Sequence, residues 1–113
     1  MADWKEVSKG GREALGVLGK GNPEIMKAIG AFDVAAASKK ALDDKTRELI
    51  ALAVAATTRC DGCISIHAEA AVKAGASRDE LLETLAVAIA LNAGAAAVYS
   101  SRILEAFDQF GGK

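Results

Sequence analysis

The chain has 113 residues, 51% hydrophobic and 26% charged, and its 14 basic and 15 acidic side chains leave a net charge of −1. That is enough for one hydrophobic core and not for two, so residues 1–113 read as a single domain. The charge balance argues against a nucleic-acid surface, since Lys39-Lys40 is too short a basic patch, and the longest unbroken apolar run, Leu49 to Ala56, is too short to cross a bilayer.

Alanine occurs 25 times and aromatic residues make up only 4%, which points to a core of small side chains and closely approaching helices. Along the chain the apolar spacing is helical throughout. A first amphipathic segment sets Trp4, Val7, Ala14, Leu15 and Leu18 on one stripe; Gly10 and Gly11 weaken it, and Gly19 and Gly21 end it. Asn22 then caps a second helix with Pro23 in its first turn and Ile25, Ile29, Phe32 and Ala36 as its expected buried face. After a loop over Ser38 to Leu42, Asp43 or Asp44 caps a third helix that carries Glu48 and then the eight-residue apolar run. A fourth helix runs from about the cysteines to Ala74 and is stopped by Gly75. Ser77-Arg78-Asp79-Glu80 is a capping box that opens a fifth. Asn92 and Gly94 mark a break before a sixth, from about Ala95 to Phe110. No segment alternates as a strand does, so the expected class is all-α with about six helices.

The opening MADWKEVSKG has no apolar h-region, and a cytoplasmic location is expected. Two stretches, Leu49 to Ala56 and Leu85 to Leu91, are apolar nearly all round. A helical domain of this size can surround about one such helix, so subunit contacts are expected to cover the other.

The chemistry concentrates in TTRCDGCISIH, residues 57–67, which holds the only two cysteines and the only histidine. At 100° per residue, Cys60 and Cys63 lie about 60° apart around a helix, and Cys63 and His67 about 40° apart. All three share a face. Thr58, with Asp61 three residues on, is a plausible cap that would put the cysteines in the first turns, where the dipole and free N–H groups favour a thiolate. If the third and fourth helices form an antiparallel hairpin turning near Thr57-Thr58, Glu48 comes opposite His67 and orients its ring. Glu48, His67 and Cys63 then form an orienter, base and nucleophile, with Cys60 one turn away to close a disulfide. Such a set suits reduction of a hydroperoxide: Cys63 becomes a sulfenic acid, Cys60 condenses with it, and a dithiol donor restores the pair. Two other readings stay open on spacing alone. Cys60, Cys63, His67 and Glu48 could hold zinc, or the same spacing could be ordinary core packing of small apolar thiols.

The stretch ELIALAVAATTRCDGCISIHAEAAVKAGAS resembles the core motif of the alkylhydroperoxidase (AhpD-like) and carboxymuconolactone decarboxylase superfamily. That motif has a Glu, then twelve residues later Cys-x-x-Cys-x-x-x-His, then a helix ended by Gly; Glu48, Cys60, Cys63 and His67 match in identity and spacing, and the resemblance covers about residues 42–107. It implies an all-α fold assembled as a homotrimer or homohexamer, without metal or cofactor, around a central antiparallel helix hairpin. In the peroxidase members the second cysteine forms the sulfenic acid, the first is proton donor and resolver, and the Glu and His relay the proton. Carried over, these roles fall to Cys63, Cys60, Glu48 and His67, with a thioredoxin-like or other dithiol partner as electron donor. The lyase branch, which decarboxylates a lactone, typically lacks the cysteine pair; its presence here favours the peroxidase or disulfide oxidoreductase branch. A non-catalytic oligomeric module binding zinc is the remaining alternative. One position departs from the pattern: the peroxidase type has a His just before the second cysteine, where this chain has Gly62.

Overall fold

The computed structural model describes residues 2–113 as five helical elements, α1 (Trp4–Gly21), α2 (Pro23–Ala36), α3 (Asp44–Thr58), α4 (Asp61–Lys73) and α5 (Arg78–Gln109), and among the described residues there is no strand. α5 is interrupted at Ala93, which has φ 52° and ψ −135°, so its two halves counted separately give the six helices expected. Two helical stretches, 78–92 and 94–109, therefore meet at a kink where the sequence placed a break. Asn92 Nδ2 donates to the Ala88 carbonyl at 3.0 Å and so satisfies an acceptor beside the distortion.

The cap residues act as their chemistry dictates. The Asp43 carboxylate accepts from the Thr46 N–H at 2.8 Å, which starts α3. Ser77 and Glu80 close a full capping box at the start of α5, with Ser77 N–H donating to Glu80 Oε1 and Glu80 N–H donating to Ser77 Oγ. Gly75, at φ 85°, ends α4 in the left-handed conformation, and the next residue's N–H reaches back to the Ala71 carbonyl at 3.0 Å. At the start of α2, Asn22 holds the cap position but its side chain makes no capping hydrogen bond; the fixed φ of Pro23 starts that helix.

α3, α4 and α5 surround the core. Leu52, Ile64, Leu81, Leu85, Ile103 and Phe107 are fully buried in it together with alanines from each helix. Trp4 of α1 joins them at 0% exposure, and its indole N–H donates to Glu105 Oε1 at 2.9 Å, so the N-terminus is fastened to the end of α5. Trp4 thus takes the interior role expected of it. α1 continues through Gly10 and Gly11 without interruption, but its stripe is covered only at the start: Leu15 and Leu18 remain well exposed.

The expected buried face of α2 is not buried. No residue of α2 is buried, and Ile25, Ile29 and Phe32 are 44%, 42% and 75% exposed. The reason is geometric: α2 packs along its length only on α1, itself a peripheral helix, so the spacing is that of a buried face with nothing over it. The two apolar stretches bury one side only. Leu52, Ala55 and Ala56 of α3 point inward, while Ile50 and Val54 are half exposed; Leu85 and Ala88 of α5 are buried, while Val87 and Leu91 are not. α5 is also long and apolar enough by composition to cross a bilayer, which the unbroken-run measure overlooked. Its kink, its core side chains and Arg102, Glu105 and Asp108 fit a central helix of this fold.

Candidate active site

α3 ends at Thr58, and the chain reverses through Arg59, which adopts the left-handed conformation at φ 57°, and Cys60. Thr57 and Thr58 do not cap α4. Both hydroxyls donate back to the Val54 carbonyl of their own helix, at 2.7 and 3.2 Å. The cap is Cys60 itself, whose Sγ accepts from the Cys63 N–H at 3.1 Å. A sulfur atom therefore occupies the place at the helix N-terminus that serine, threonine or aspartate usually takes, where the N–H groups and the helix dipole favour negative charge. Cys60 and Cys63 are joined as a disulfide, with their Cα atoms 5.2 Å apart.

From this turn the two helices run back alongside each other. One consequence is a hydrogen bond between His67 Nδ1 on α4 and Glu48 Oε2 on α3, 2.6 Å long. An ionised carboxylate only accepts, so it draws the ring proton to Nδ1, and in the neutral imidazole the Nε2 lone pair is then free. The side chains are 35% and 25% exposed, respectively, sheltered enough to hold a geometry and open enough for a reactant to approach. His67 lies one turn along α4 from Cys63, on the face set by the helical repeat.

A half-open cavity of about 510 Å³ adjoins the imidazole. Glu48, Arg47 and Ala51 of α3 and His67, Ile66 and Ala70 of α4 form two of its walls; Asp33, Ala36 and Ala37, at the end of α2, form the third. The two cysteines do not line it; Cys63 lies beyond its rim, one turn toward the start of α4. Sequence reasoning assigned the first forty residues no part in the site. Their contribution is a wall rather than a polar group, and no spacing rule reports a wall.

The structure thus brings all four expected residues to one hairpin: Cys60 and Cys63 bonded together, Glu48 and His67 bonded together, and the two pairs a turn apart. Among the described residues no group of three or more His, Cys, Asp and Glu side chains converges as metal ligands would. The zinc reading therefore finds no ligand set in this arrangement. Sequence reasoning also missed a polar contact at the start of α4, where Arg102 of α5 pairs with Asp61 through Nε at 3.3 Å and Nη2 at 2.9 Å. Forty-one residues separate the two, beyond the reach of any local pattern.

Comparison with known proteins bears on the family and the fold. A profile of the carboxymuconolactone decarboxylase family matches residues 23–106, and so takes in α2 as well as the motif. An uncharacterized protein from Haemophilus influenzae is 59% identical over 107 residues, 95% of each chain. An uncharacterized protein from the cox locus of Paracoccus denitrificans is 34% identical over 99 residues, 88% of this chain and 89% of the other. The crystal structure of an apo carboxymuconolactone decarboxylase family protein from Legionella pneumophila superposes with a TM-score of 0.89 at 39% identity, covering 95% of this chain and 96% of that one.

Proposed function

This chain belongs to the carboxymuconolactone decarboxylase family, and on that premise we propose that it is a thiol-dependent peroxidase that turns over through its Cys-x-x-Cys pair. The observation that carries the reading is the bonded cysteine pair at the start of α4, one turn from an imidazole already held by a carboxylate. The lyase branch typically lacks the cysteine pair, and its presence here supports the peroxidase reading over a lactone decarboxylase that has kept it.

In the proposed cycle, a dithiol donor first reduces the pair, delivering two electrons and two protons and leaving as its own disulfide. His67 Nε2 takes the proton of the Cys63 thiol, and Glu48 stabilises the resulting imidazolium. The Cys63 thiolate attacks the terminal oxygen of a hydroperoxide; the S–O bond forms as the O–O bond breaks, and sulfur loses two electrons. The leaving alkoxide takes the proton from His67 and departs as an alcohol. Cys60 then attacks the sulfenic sulfur, expelling its oxygen as water and closing the disulfide. The cavity beside His67, with alanine and isoleucine walls, would take the organic part of the substrate. Assembly as a homotrimer or homohexamer is part of the proposal.

The test is a thiol count. Reduced protein treated with one equivalent of an organic hydroperoxide is expected to lose two thiols per chain and to recover both with a dithiol. Cys63→Ser should abolish peroxide consumption, and dimedone should label Cys63 in a Cys60→Ser background. Unchanged peroxide consumption in both serine variants would overturn the reading.

A further inference from the structure

We propose that Arg102 and Asp61 form a charge-balancing clamp that sets the redox potential of the Cys60–Cys63 pair. This deepens the peroxidase reading and rests on it. Cys60 lies between Arg59 and Asp61, and both neighbours are held by the same stretch of α5. The Arg59 guanidinium lies over the Tyr99 ring, 5.9 Å from its centroid. Asp61 receives two hydrogen bonds from Arg102, at 3.3 and 2.9 Å. Arg102 is fixed in turn by two aromatic faces, 5.0 Å from the centroid of the buried Trp4 ring and 5.7 Å from that of Tyr99. The turn that carries the first sulfur is therefore gripped on each side, through groups from α1 and α5 that take no part in the proposed proton relay.

The grip has an electrostatic consequence. Asp61 is the first residue of α4 and adjoins Cys60, so its negative charge opposes a thiolate on either sulfur. Arg102 cancels that charge with a bidentate pair. Among the other ionisable groups nearby, Arg59 lies in the turn, Glu48 is engaged with His67, and Glu105 of α5 accepts from the indole N–H of the Trp4 on which Arg102 stacks. α1 sets the uncharged Trp4 against Arg102, and its Arg12 is paired with Glu69 further along α4. In the disulfide the sulfurs carry no charge, whereas the reduced pair holds a thiolate. Any shift in local charge therefore moves the equilibrium between the two states. Without Arg102, the uncompensated Asp61 disfavours the thiolate and the disulfide gains. Without Asp61, the uncompensated Arg102 favours the thiolate and the dithiol gains. Arg102 and Asp61 are positioning residues, acting on the sulfurs through the turn and through charge.

The experiment equilibrates the whole protein with a dithiothreitol redox buffer and measures the reduced fraction for wild type, Arg102→Met, Asp61→Asn and the double variant. Arg102→Met should shift the equilibrium constant about tenfold toward the disulfide and Asp61→Asn about tenfold toward the dithiol, each about 30 mV in potential. The double variant should return to within about threefold of wild type. A purely structural role would move both single variants the same way, because both loosen the same turn. A shift in one direction only, or either single variant within twofold of wild type, overturns the proposal. Should Arg102→Met fail to fold, Arg102→Lys, which keeps the charge, must retain the wild-type value while Asp61→Asn still shifts toward the dithiol. No peroxide enters the measurement. Opposite shifts in a protein that consumes no peroxide would leave the clamp standing and remove the peroxidase reading.

Discussion

Replacing Glu48 by glutamine preserves the shape of the side chain and removes its charge. The amide can still accept from His67 Nδ1, but it can equally present its NH₂ and turn the ring to the other tautomer. It also cannot stabilise the imidazolium formed when Cys63 is deprotonated. Glu48→Gln is therefore expected to slow peroxide consumption about a hundredfold, the low end of what a positioned acid–base group supplies, with folding intact by circular dichroism. Gly62 offers the opposite experiment. A Cβ added there meets nothing within 4 Å, so Gly62→His begins its side chain in open space. It restores the histidine that the peroxidase pattern has before the second cysteine and should raise the rate about tenfold in a dithiol-coupled assay, as expected of a second acid–base group. The relay pairing was legible at this scale because it follows from two simple facts, the helical repeat on α4 and the symmetry of a hairpin about its turn. The cap was not. Thr58 is among the residues that cap helices, yet its hydroxyl is already bonded within α3 and a cysteine sulfur caps α4 instead. Cysteine is not among the residues strongly preferred for that role.

Helix ends and breaks were the legible part of the elements. Asp43, the Ser77 to Glu80 box and Gly75 each act through groups that the sequence names directly. The acid response of the fold depends on two of them. The Lys45 ammonium, 2.8 Å from Glu80, and then the Ser77 N–H hold the Glu80 carboxyl below the ordinary carboxylate range. The Thr46 hydroxyl and N–H do the same for Asp43. A carboxyl with a lowered folded pKa stabilises the fold fully above its unfolded pKa, near 4.3 for glutamate, and loses that contribution as pH falls through the folded value. Glu80→Gln keeps an acceptor for the capping box and removes the titration. Urea unfolding of this variant should therefore show a shallower loss of stability than wild type below about pH 4. At the kink, Ala93 sits at positive φ in a region that glycine alone enters freely. Ala93→Gly should raise stability by about 1 kcal/mol in the same assay, the relieved strain exceeding the added chain entropy. The sequence marked this break through Asn92 and Gly94, but which residue carries the positive φ is decided by how the two halves of α5 pack.

On the scale of the whole molecule the sequence misled in one respect, and the reason is instructive. Ile25, Ile29 and Phe32 have the spacing of a buried face and are exposed in the single chain. Periodicity states that a face is to be covered and does not state by which chain. Val34 of α2 is 75% exposed as well, and elsewhere Ile50 and Val54 of α3 with Val87 and Leu91 of α5 line an apolar groove of about 400 Å³. A ridge on one element and a groove on another are different surfaces, so a contact joining them between copies is head-to-tail, closing into a ring where the rotation between copies allows and running on as a filament where it does not. The homotrimer or homohexamer proposed above would use such a contact in its closed form, and it would also brace the end of α2 that walls the cavity beside His67. Light scattering on the purified protein should give the mass of a trimer or hexamer. Phe32→Asp, which places a charge on the most exposed aromatic of α2, should shift the protein to smaller species and lower its thermal midpoint in a concentration-dependent way. A wild-type mass of one chain at micromolar concentration would mean that the apolar face of α2 has some purpose other than self-assembly.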